Sequence, residues 1–219
     1  MKNKSVNTKN KIIDTTLILL NTKGLNNVKM RDISNTLGIS IGNLTYHYPK
    51  WENLIDGILN HFYDDIKNVF NHFPKEVSEV VEYVDRIYEI QMKYTFFFSS
   101  IHLFFQQFPQ YKEMQEEFFV TRMKVMRESF DTMIEKNYLY PESHQHNYDL
   151  LVKTTWLILS GWYSFSVIFN DEKYNITKKE FFLTVWHIYA CHLTELGRKR
   201  ITKSYVELFS KRIKKPVGE

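Results

Sequence analysis

The 219-residue chain has little of the residues that interrupt or cross-link a fold: one cysteine, five prolines and seven glycines. The single thiol, Cys191, excludes an internal disulfide framework and fits a reducing compartment. Scarce proline and glycine, together with long stretches of helical apolar spacing, predict an all-α fold. The sequence also lacks an apolar run that could span a bilayer, and its Lys- and Asn-rich start lacks the apolar core of a signal peptide. We therefore expect a cytoplasmic protein with no membrane partner.

Sequence signals for catalysis are missing as well. The chain has no glycine-rich phosphate loop and no G-x-S-x-G motif. His187 and Cys191 stand four residues apart on one predicted helix face, but two ligands do not make a metal site. We expect no catalytic residue, no metal and no cofactor, and interpret the protein as a non-enzyme.

The net charge of +4 conceals an uneven distribution. Residues 1–50 hold eight Lys/Arg and two Asp/Glu, and residues 198–219 hold the same numbers, which leaves residues 51–197 with a net charge of −8. A basic end beside an acidic body is typical of a nucleic-acid-binding head on a body with another role. The alternative, that both basic ends are only solvated tails, remains open.

The most informative stretch is KMRDISNTLGISIGNLTYHYPKWENL, at residues 29–54. Apolar side chains recur at helical spacing over 29–37 and predict a short helix with one buried face. Gly38 follows, where a positive φ closes a turn without a Cβ clash. Ser40 is a good N-cap for a second short helix, which Pro49 ends. Two such helices joined by a tight turn form the helix-turn-helix that enters the major groove of DNA.

The run GISIGNLTYHY at residues 38–48, with Arg31-Asp32-Ile33 before it and Gly24 upstream, resembles the recognition-helix signature of tetracycline-repressor-type (TetR) transcriptional regulators. The resemblance covers residues 9–56. It implies an N-terminal three-helix helix-turn-helix head, a connecting fourth helix and a C-terminal helical bundle that dimerises. It also implies a ligand-responsive DNA-binding regulator, most often a repressor.

The implied partners are a palindromic double-stranded DNA operator, a second copy of the chain and a small-molecule effector. We expect the second helix of the motif to face the major groove, while basic side chains meet the phosphates. The candidate DNA-binding residues are Lys29, Arg31, Ser40, Ile41, Asn43, Thr45, Tyr46 and Lys50.

We place the head at residues 1–50, with a connector helix to about residue 73, and the effector-binding and dimerisation body at residues 74–219. The head is predicted to begin with a flexible segment over residues 1–8, followed by a first helix to about residue 23. Further helices are predicted over 29–37, 40–47, 50–70, 76–95, 96–107, 110–137, 147–171 and 178–210.

Seven aromatic residues crowd the stretch 94–108. So many rings exceed what one helix face can bury, and aromatic-lined cavities are a common form of small-molecule site. We therefore predict a pocket for a largely apolar or planar ligand, oriented by His102 or a glutamine; ordinary core packing is the alternative. The candidate ligand-binding residues are Phe98, His102, Phe105, Met123, Met126 and Trp156.

Residues 150–169, LLVKTTWLILSGWYSFSVIF, are apolar nearly all round and must be covered on both sides. One side meets the body, and the other predicts a homodimer interface shared with residues of about 180–208. Gly161 would allow close helix approach at its centre. The alternative is that both helices only complete an intramolecular core.

Two alternative functions stay open at the level of sequence. One is an all-α small-molecule-binding or enzymatic body with an interaction head. The other is a constitutive DNA-binding protein without an effector.

Overall fold

The computed structural model describes residues 2–71, 73–168 and 177–203, and of residues 2–6 the backbone alone. Regular structure within these ranges is helical apart from one isolated β-bridge between Leu139 and Leu193, which confirms the all-α class. None of these helices is long and apolar enough to cross a membrane. The helices are α1 Lys2–Lys23, α2 Met30–Leu37, α3 Ile41–His47, α4 Trp51–Phe70, α5 Val80–Lys93, α6 Thr95–Ser99, α7 Ile101–Gln107, α8 Lys112–Glu135, α9 Tyr148–Ser166, α10 Lys178–Ala190 and α11 over 195–203.

The helix-turn-helix prediction is confirmed at α2 and α3. Gly38 ends α2 with a φ of 65°, in the left-handed region that favours glycine. The next amide, that of Ile39, donates back to the Ser34 carbonyl at 3.0 Å. These short helices are held by a common core with α1 and α4, because each is too short to be stable alone. Fully buried residues of this core are Ile12, Leu20, Ile33, Leu44 and Leu54.

Three predicted helix boundaries are wrong. The flexible start is replaced by helix from Lys2, because the first residues contain no glycine or proline that would stop α1. The helix predicted over 96–107 is split at Ser100, whose φ and ψ are −147° and 40°. The helix predicted over 147–171 ends at Ser166, and residues 169–171 lie outside the described ranges.

The final helix, predicted over 178–210, is interrupted at residues 191–194. There the chain leaves the helix to pair with the segment after α8. Tyr140 N–H donates to the His192 carbonyl at 3.0 Å, and Thr194 N–H donates to the Tyr138 carbonyl at 3.0 Å. These long-range bonds replace the helical ones, so helix resumes as α11 only at residue 195; residues 204–210 lie outside the described ranges.

Helix α4 belongs to both halves of the molecule. Its first half packs on α1, and its second half packs on α5 of the body. Close approach to α1 depends on Gly57, where a Cβ would lie 2.8 Å from Ile13 Cδ1 and 3.1 Å from the Tyr48 ring. Further along α4, the Phe62 ring lies 5.0 Å from the ring of Tyr94. The connecting helix predicted from the sequence is thus a packed element of both cores.

The body is a helical bundle around α9. This helix packs against α6, α8 and α10, and α5 packs against α4 and α10. Asn147 starts α9 by accepting a hydrogen bond from Leu150 N–H at 2.8 Å, an N-cap interaction. The arrangement leaves a narrow space between α5, α8 and α9.

Replacing Gly57 by alanine should lower the free energy of unfolding by about 1–3 kcal/mol, because the new methyl group must displace Ile13 and Tyr48. Urea unfolding followed by circular dichroism measures the change. Gly42→Ala is the matched control: its Cβ meets only Ser40 Oγ, at 3.9 Å. Removing this helical glycine should stabilise the protein by roughly 0.5–1 kcal/mol. Equal stability of the two variants would contradict the close approach at Gly57.

Candidate nucleic-acid interface and effector cavity

Helix α3 is anchored on one side and open on the other. Ser40 is its N-cap, as predicted, and its Oγ accepts from Asn43 N–H at 3.1 Å. Leu44 fixes the inner side of the helix and is fully buried. On the outer side Ile41 is 46% exposed and Tyr46 is 81% exposed. Large apolar and aromatic side chains left open on a helix held this firmly favour a contact surface for a partner.

The candidate DNA-binding residues share the outer surface of the head. Thr45 is half-buried, and its hydroxyl donates to the Ile41 carbonyl at 3.0 Å. Lys50 is the N-cap of α4, and no side chain caps this helix end. The backbone N–H groups of the first turn of α4 therefore lie next to a cation, an arrangement that suits phosphate. The remaining candidates are all exposed: Lys29, Arg31, Ser40, Ile41, Asn43 and Tyr46.

The positive charge of the head is not neutralised within the fold. Every ion pair found among the described residues lies outside the head. An exposed cation without a carboxylate partner is available to a polyanion, and such cations supply most of the affinity for DNA. The exposed basic side chains are Lys9, Lys11, Lys23, Lys29, Arg31 and Lys50.

Narrow cavities of about 60 Å³ and about 30 Å³ lie among the described residues of the body. The larger cavity is lined by α5, α8, α9 and α10, and the smaller one by α4, α5, α6 and α9 together with α8. A groove of about 490 Å³ runs along the outer surface between α4 and α8. Arg122 of α8 lines both cavities and the groove. Arg122 therefore lies between the interior of the body and its outer surface.

Arg122 is held between two aromatic rings. Its guanidinium carbon lies 4.0 Å from the ring centre of Phe70 and 4.6 Å from that of Trp156, which are cation–π contacts. Burial lowers the pKa of the Arg122 guanidinium, although an arginine stays cationic at neutral pH. The charge of Arg122 also acts on Tyr83 and Tyr189, and burial raises the pKa of both phenols above the ordinary value.

The sequence-based ligand residues are only partly brought together. Met126 lines the larger cavity, and Phe98 and Trp156 line the smaller one. His102 is exposed and lines neither cavity, so it is not placed to orient a ligand there.

Phe105 and Met123 also line neither cavity, although both pack against the core. The Phe105 ring contacts the rings of Phe97 and Phe104, at 5.9 and 5.6 Å between centroids. The aromatic run over 94–108 thus packs mostly against itself and α4. For most of its rings, the alternative of ordinary core packing is the better description.

Sequence reasoning missed Arg122 as a cavity residue. A signal was available, because Arg122 stands four residues after Phe118 and four before Met126, on an apolar stripe of α8. A cation in such a stripe has to be covered together with its apolar neighbours.

No group of three or more His, Cys, Asp or Glu residues that suits a metal ion occurs in the part of the chain that the structure describes. The pair considered from the sequence, His187 and Cys191, is exposed.

Side chains of α1 and α4 tie the head to the body at the junction of α5 and α6. Asn21 of α1 donates to the Lys93 carbonyl at 2.9 Å and accepts from Phe96 N–H at 3.0 Å. On α4, the Asp65 carboxylate accepts from Lys93 Nζ and from Tyr94 O–H, both at 2.6 Å. The orientation of the head is therefore set at the same junction that lies beside the smaller cavity.

Comparison with known proteins agrees with this arrangement. Residues 12–58 match the family model of bacterial regulatory proteins of the tetR family, and residues 59–201 match the TetR model described as bacterial transcriptional repressor. The fold resembles that of a TetR-family transcriptional regulator from Marinobacter aquaeolei VT8, with a TM-score of 0.77 and 20% identity over 93% of this chain and 98% of that one. It also resembles a TetR transcription regulator from Haloarcula marismortui, with a TM-score of 0.62 and 12% identity over 86% of this chain and all of that one (100%). No curated protein matches the chain significantly.

Replacing Asn21 by alanine should lower the free energy of unfolding by about 1–3 kcal/mol, because two hydrogen bonds between head and body are lost together. Asn26→Ala is the control, since Asn26 is exposed, and a surface change of this kind should stay within about 0.5 kcal/mol of the unaltered protein. Chemical unfolding monitored by tryptophan fluorescence compares the two. A stability loss no greater than that of the control would mean that Asn21 does not join the two halves.

Proposed function

Since the chain belongs to the TetR family of bacterial transcriptional regulators, and is therefore a DNA-binding regulator, we propose that it is a repressor that binds a palindromic operator as a homodimer and releases it when a small molecule enters the body. The family is one of transcription regulators rather than enzymes. The observation that carries the proposal is that an open, unneutralised head and the smaller cavity of the body share helix α4.

In the proposed complex, α3 enters the major groove. Asn43 is the candidate for reading a base, because its exposed amide offers both a donor and an acceptor, and Asn bonds bidentately to adenine. Ile41 and Tyr46 would add apolar and stacking contacts beside it. Lys29, Arg31 and Lys50 would meet phosphates, which set the position of the head without reading sequence. Support comes from the exposure of each of these side chains.

The proposed dimer uses the outer face of α9. Apolar side chains are exposed on α9 and in the turn that follows it, with Gly161 between them: Leu157 is 71% exposed, Phe165 60% and Ile168, two residues past the helix, 66%. A Cβ on Gly161 would meet nothing within 4 Å inside the chain, so the fold itself gives no reason for glycine here. Leu183 on α10 continues the apolar surface and is 43% exposed. Such a surface fits a second copy of the chain, since a large exposed apolar patch usually marks an interface.

Effector response would work through α4. Phe62 and Ile66 line the smaller cavity, and Phe70 at the end of α4 touches Arg122. A ligand that binds one position of these side chains more tightly shifts α4 toward that position. In a dimer, a shift of α4 changes the separation of the two heads and hence the fit to two half-sites about one helical turn or slightly more apart. The smaller cavity beside α4 favours this function over that of a DNA-binding protein without an effector.

Substitutions at Asn43 and Lys50 should affect DNA binding in different ways. Operator duplexes are first selected from random DNA with the unaltered protein, and affinities are then measured by fluorescence anisotropy against salt. Lys50→Ala should weaken all duplexes alike and reduce the salt slope by about one unit. Asn43→Ala should change the sequence preference and cost about 1–3 kcal/mol on the selected site. Lys124→Ala, an exposed cation of α8, is the control and should leave both quantities unchanged. Wild-type behaviour of both head variants would refute the proposed orientation of α3.

The dimer proposal predicts that Leu157→Glu gives a folded monomer, because a buried unpaired carboxylate opposes the interface but is harmless on an exposed position. Gly161→Phe should act in the same direction by holding the two helices apart. Sedimentation equilibrium at micromolar concentration measures the mass, and Lys124→Phe on α8 controls for the addition of a ring elsewhere. A monomeric unaltered protein at that concentration would overturn the proposal, as would a Leu157→Glu variant that remains a dimer.

A further inference from the structure

We propose that the effector is an anionic amphiphile, a single carboxylate on an apolar chain or ring, whose carboxylate binds the guanidinium of Arg122. The inference rests on the proposed effector response and adds the chemical class of the ligand to it.

The first argument is the missing counter-ion of Arg122. Removing a cation from water costs several kcal/mol unless a partner compensates, so buried arginines are normally paired. No ion pair among residues 2–71, 73–168 and 177–203 involves Arg122. One and a half turns along the same helix, Arg127, which is also half-buried, has three carboxylate partners, Asp131 at 3.1 Å, Glu142 at 2.6 Å and Asp149 at 3.3 Å. The fold thus pairs the peripheral arginine three times and leaves the cavity arginine to its aromatic neighbours.

The second argument is the geometry around the guanidinium. The rings of Phe70 and Trp156 contact the guanidinium. These cation–π contacts partly compensate its charge, but the rings accept no conventional hydrogen bond. A carboxylate matches the fork of guanidinium N–H donors with two parallel hydrogen bonds. Nearby, the buried hydroxyl of Tyr83 lies against the guanidinium, which donates toward the phenol oxygen. Its own O–H has no acceptor among the described atoms, so it is a further donor for an anion. The site therefore supplies positive charge and N–H and O–H donors, and no carboxylate of the described residues pairs with them.

The third argument is the apolar space behind Arg122. Apart from Arg122 and four residues that carry hydroxyl groups, the lining of the larger cavity is apolar. In the structure it measures about 60 Å³, so a longer ligand has to displace the walls. Met126 and Met133 are suited to this because methionine side chains rearrange easily. The apolar lining includes Val77, Val80, Val84, Ile87, Met133 and Val185.

The outer groove supplies the route and limits the charge of the ligand. Arg122 lies where the groove between α4 and α8 meets the two cavities, so an anion entering there reaches the guanidinium directly. Lys67 on the groove wall attracts anions, whereas Asp64 and Glu117 on the same wall repel them. This mixture of charges favours a monoanion with an apolar body over a polyphosphate or another multiply charged molecule.

Binding at this position would act on the head through Phe70. Phe70 is the last residue of α4, and its ring contacts the guanidinium. A carboxylate that forms two hydrogen bonds with Arg122 would therefore change the packing of the guanidinium against the end of α4. The contact between Arg122 and Phe70 thus links the proposed carboxylate site to helix α4 and so to the head.

The test uses decanoate, 4-butylbenzoate and decan-1-ol as probes, with isothermal titration calorimetry on the full chain without DNA. The unaltered protein should bind at least one of the two carboxylates about tenfold or more tightly than decan-1-ol. Arg122→Met removes the charge and keeps an apolar side chain of similar length. It should abolish that preference while leaving the affinity for decan-1-ol within about twofold. Arg122→Lys, which keeps the charge but loses the planar fork, should fall between the two. Lys124→Met, two residues along α8, is the matched control and should behave as the unaltered protein.

Equal affinity of the unaltered protein for the carboxylates and the alcohol would overturn the proposal, and so would failure of both carboxylates to bind. An undiminished preference for carboxylate in Arg122→Met would overturn it too. The comparison of probes on the unaltered protein needs no variant and therefore stands even if Arg122→Met fails to fold. Operator release by the bound carboxylate is measured separately. If a carboxylate binds but the operator is not released, the Arg122 site is upheld and the proposed effector response is refuted. If only ligands other than carboxylates release the operator, the effector response is upheld and the Arg122 site is refuted.

Discussion

Helix α4 has to be buried on two sides, and both halves of the molecule are built on this constraint. A 20-residue amphipathic helix cannot cover its own apolar surface, so the head covers its first half and the body its second. Gly57 lets α1 approach at one end, while Phe62 joins the aromatic cluster of the body at the other. Because Asp65 also binds the junction of α5 and α6, a movement of α4 within the body has to move the head. The link between a cavity and a remote surface therefore follows from shared burial.

Charge is distributed according to the same division. The body places several of its charged groups in ion pairs, such as the cluster around Arg127, and such pairs are worth little individually at an exposed surface. The head leaves its exposed lysines and Arg31 without carboxylate partners. Arg122 is the counterpart inside the body, a cation covered by Phe70 and Trp156 instead of an acid. Cations without a carboxylate partner therefore occur both on the outer surface of the head and beside the cavities of the body. At both positions the fold favours binding of an anion from outside.

The elements predicted from local signals are correct where those signals act within a few residues. The turn at Gly38 and the cap at Ser40 are examples, because each is decided by one backbone conformation or one hydrogen bond close in sequence. The break at residues 191–194 was not predictable in this way, since it depends on pairing with the segment around Tyr138, more than fifty residues earlier. The candidate site shows the same limit: His102 and Phe105 fit the composition of a pocket, but packing directs them elsewhere.

The sequence by itself determined the all-α class, the helix-turn-helix and the family, because helical periodicity, capping residues and a dense local motif are properties of neighbouring residues. It also determined that the head is basic and the body acidic. Only the tertiary structure decided which aromatic rings are core and which residues surround Arg122. It also decided that Asn21 forms hydrogen bonds with Lys93 and Phe96, which lie more than seventy positions later in the chain. Those outcomes depend on how helices that are distant in the chain pack together. The polarity and helical spacing of a side chain are the same whether it packs in the core or lines a cavity, so the sequence alone does not tell the two apart.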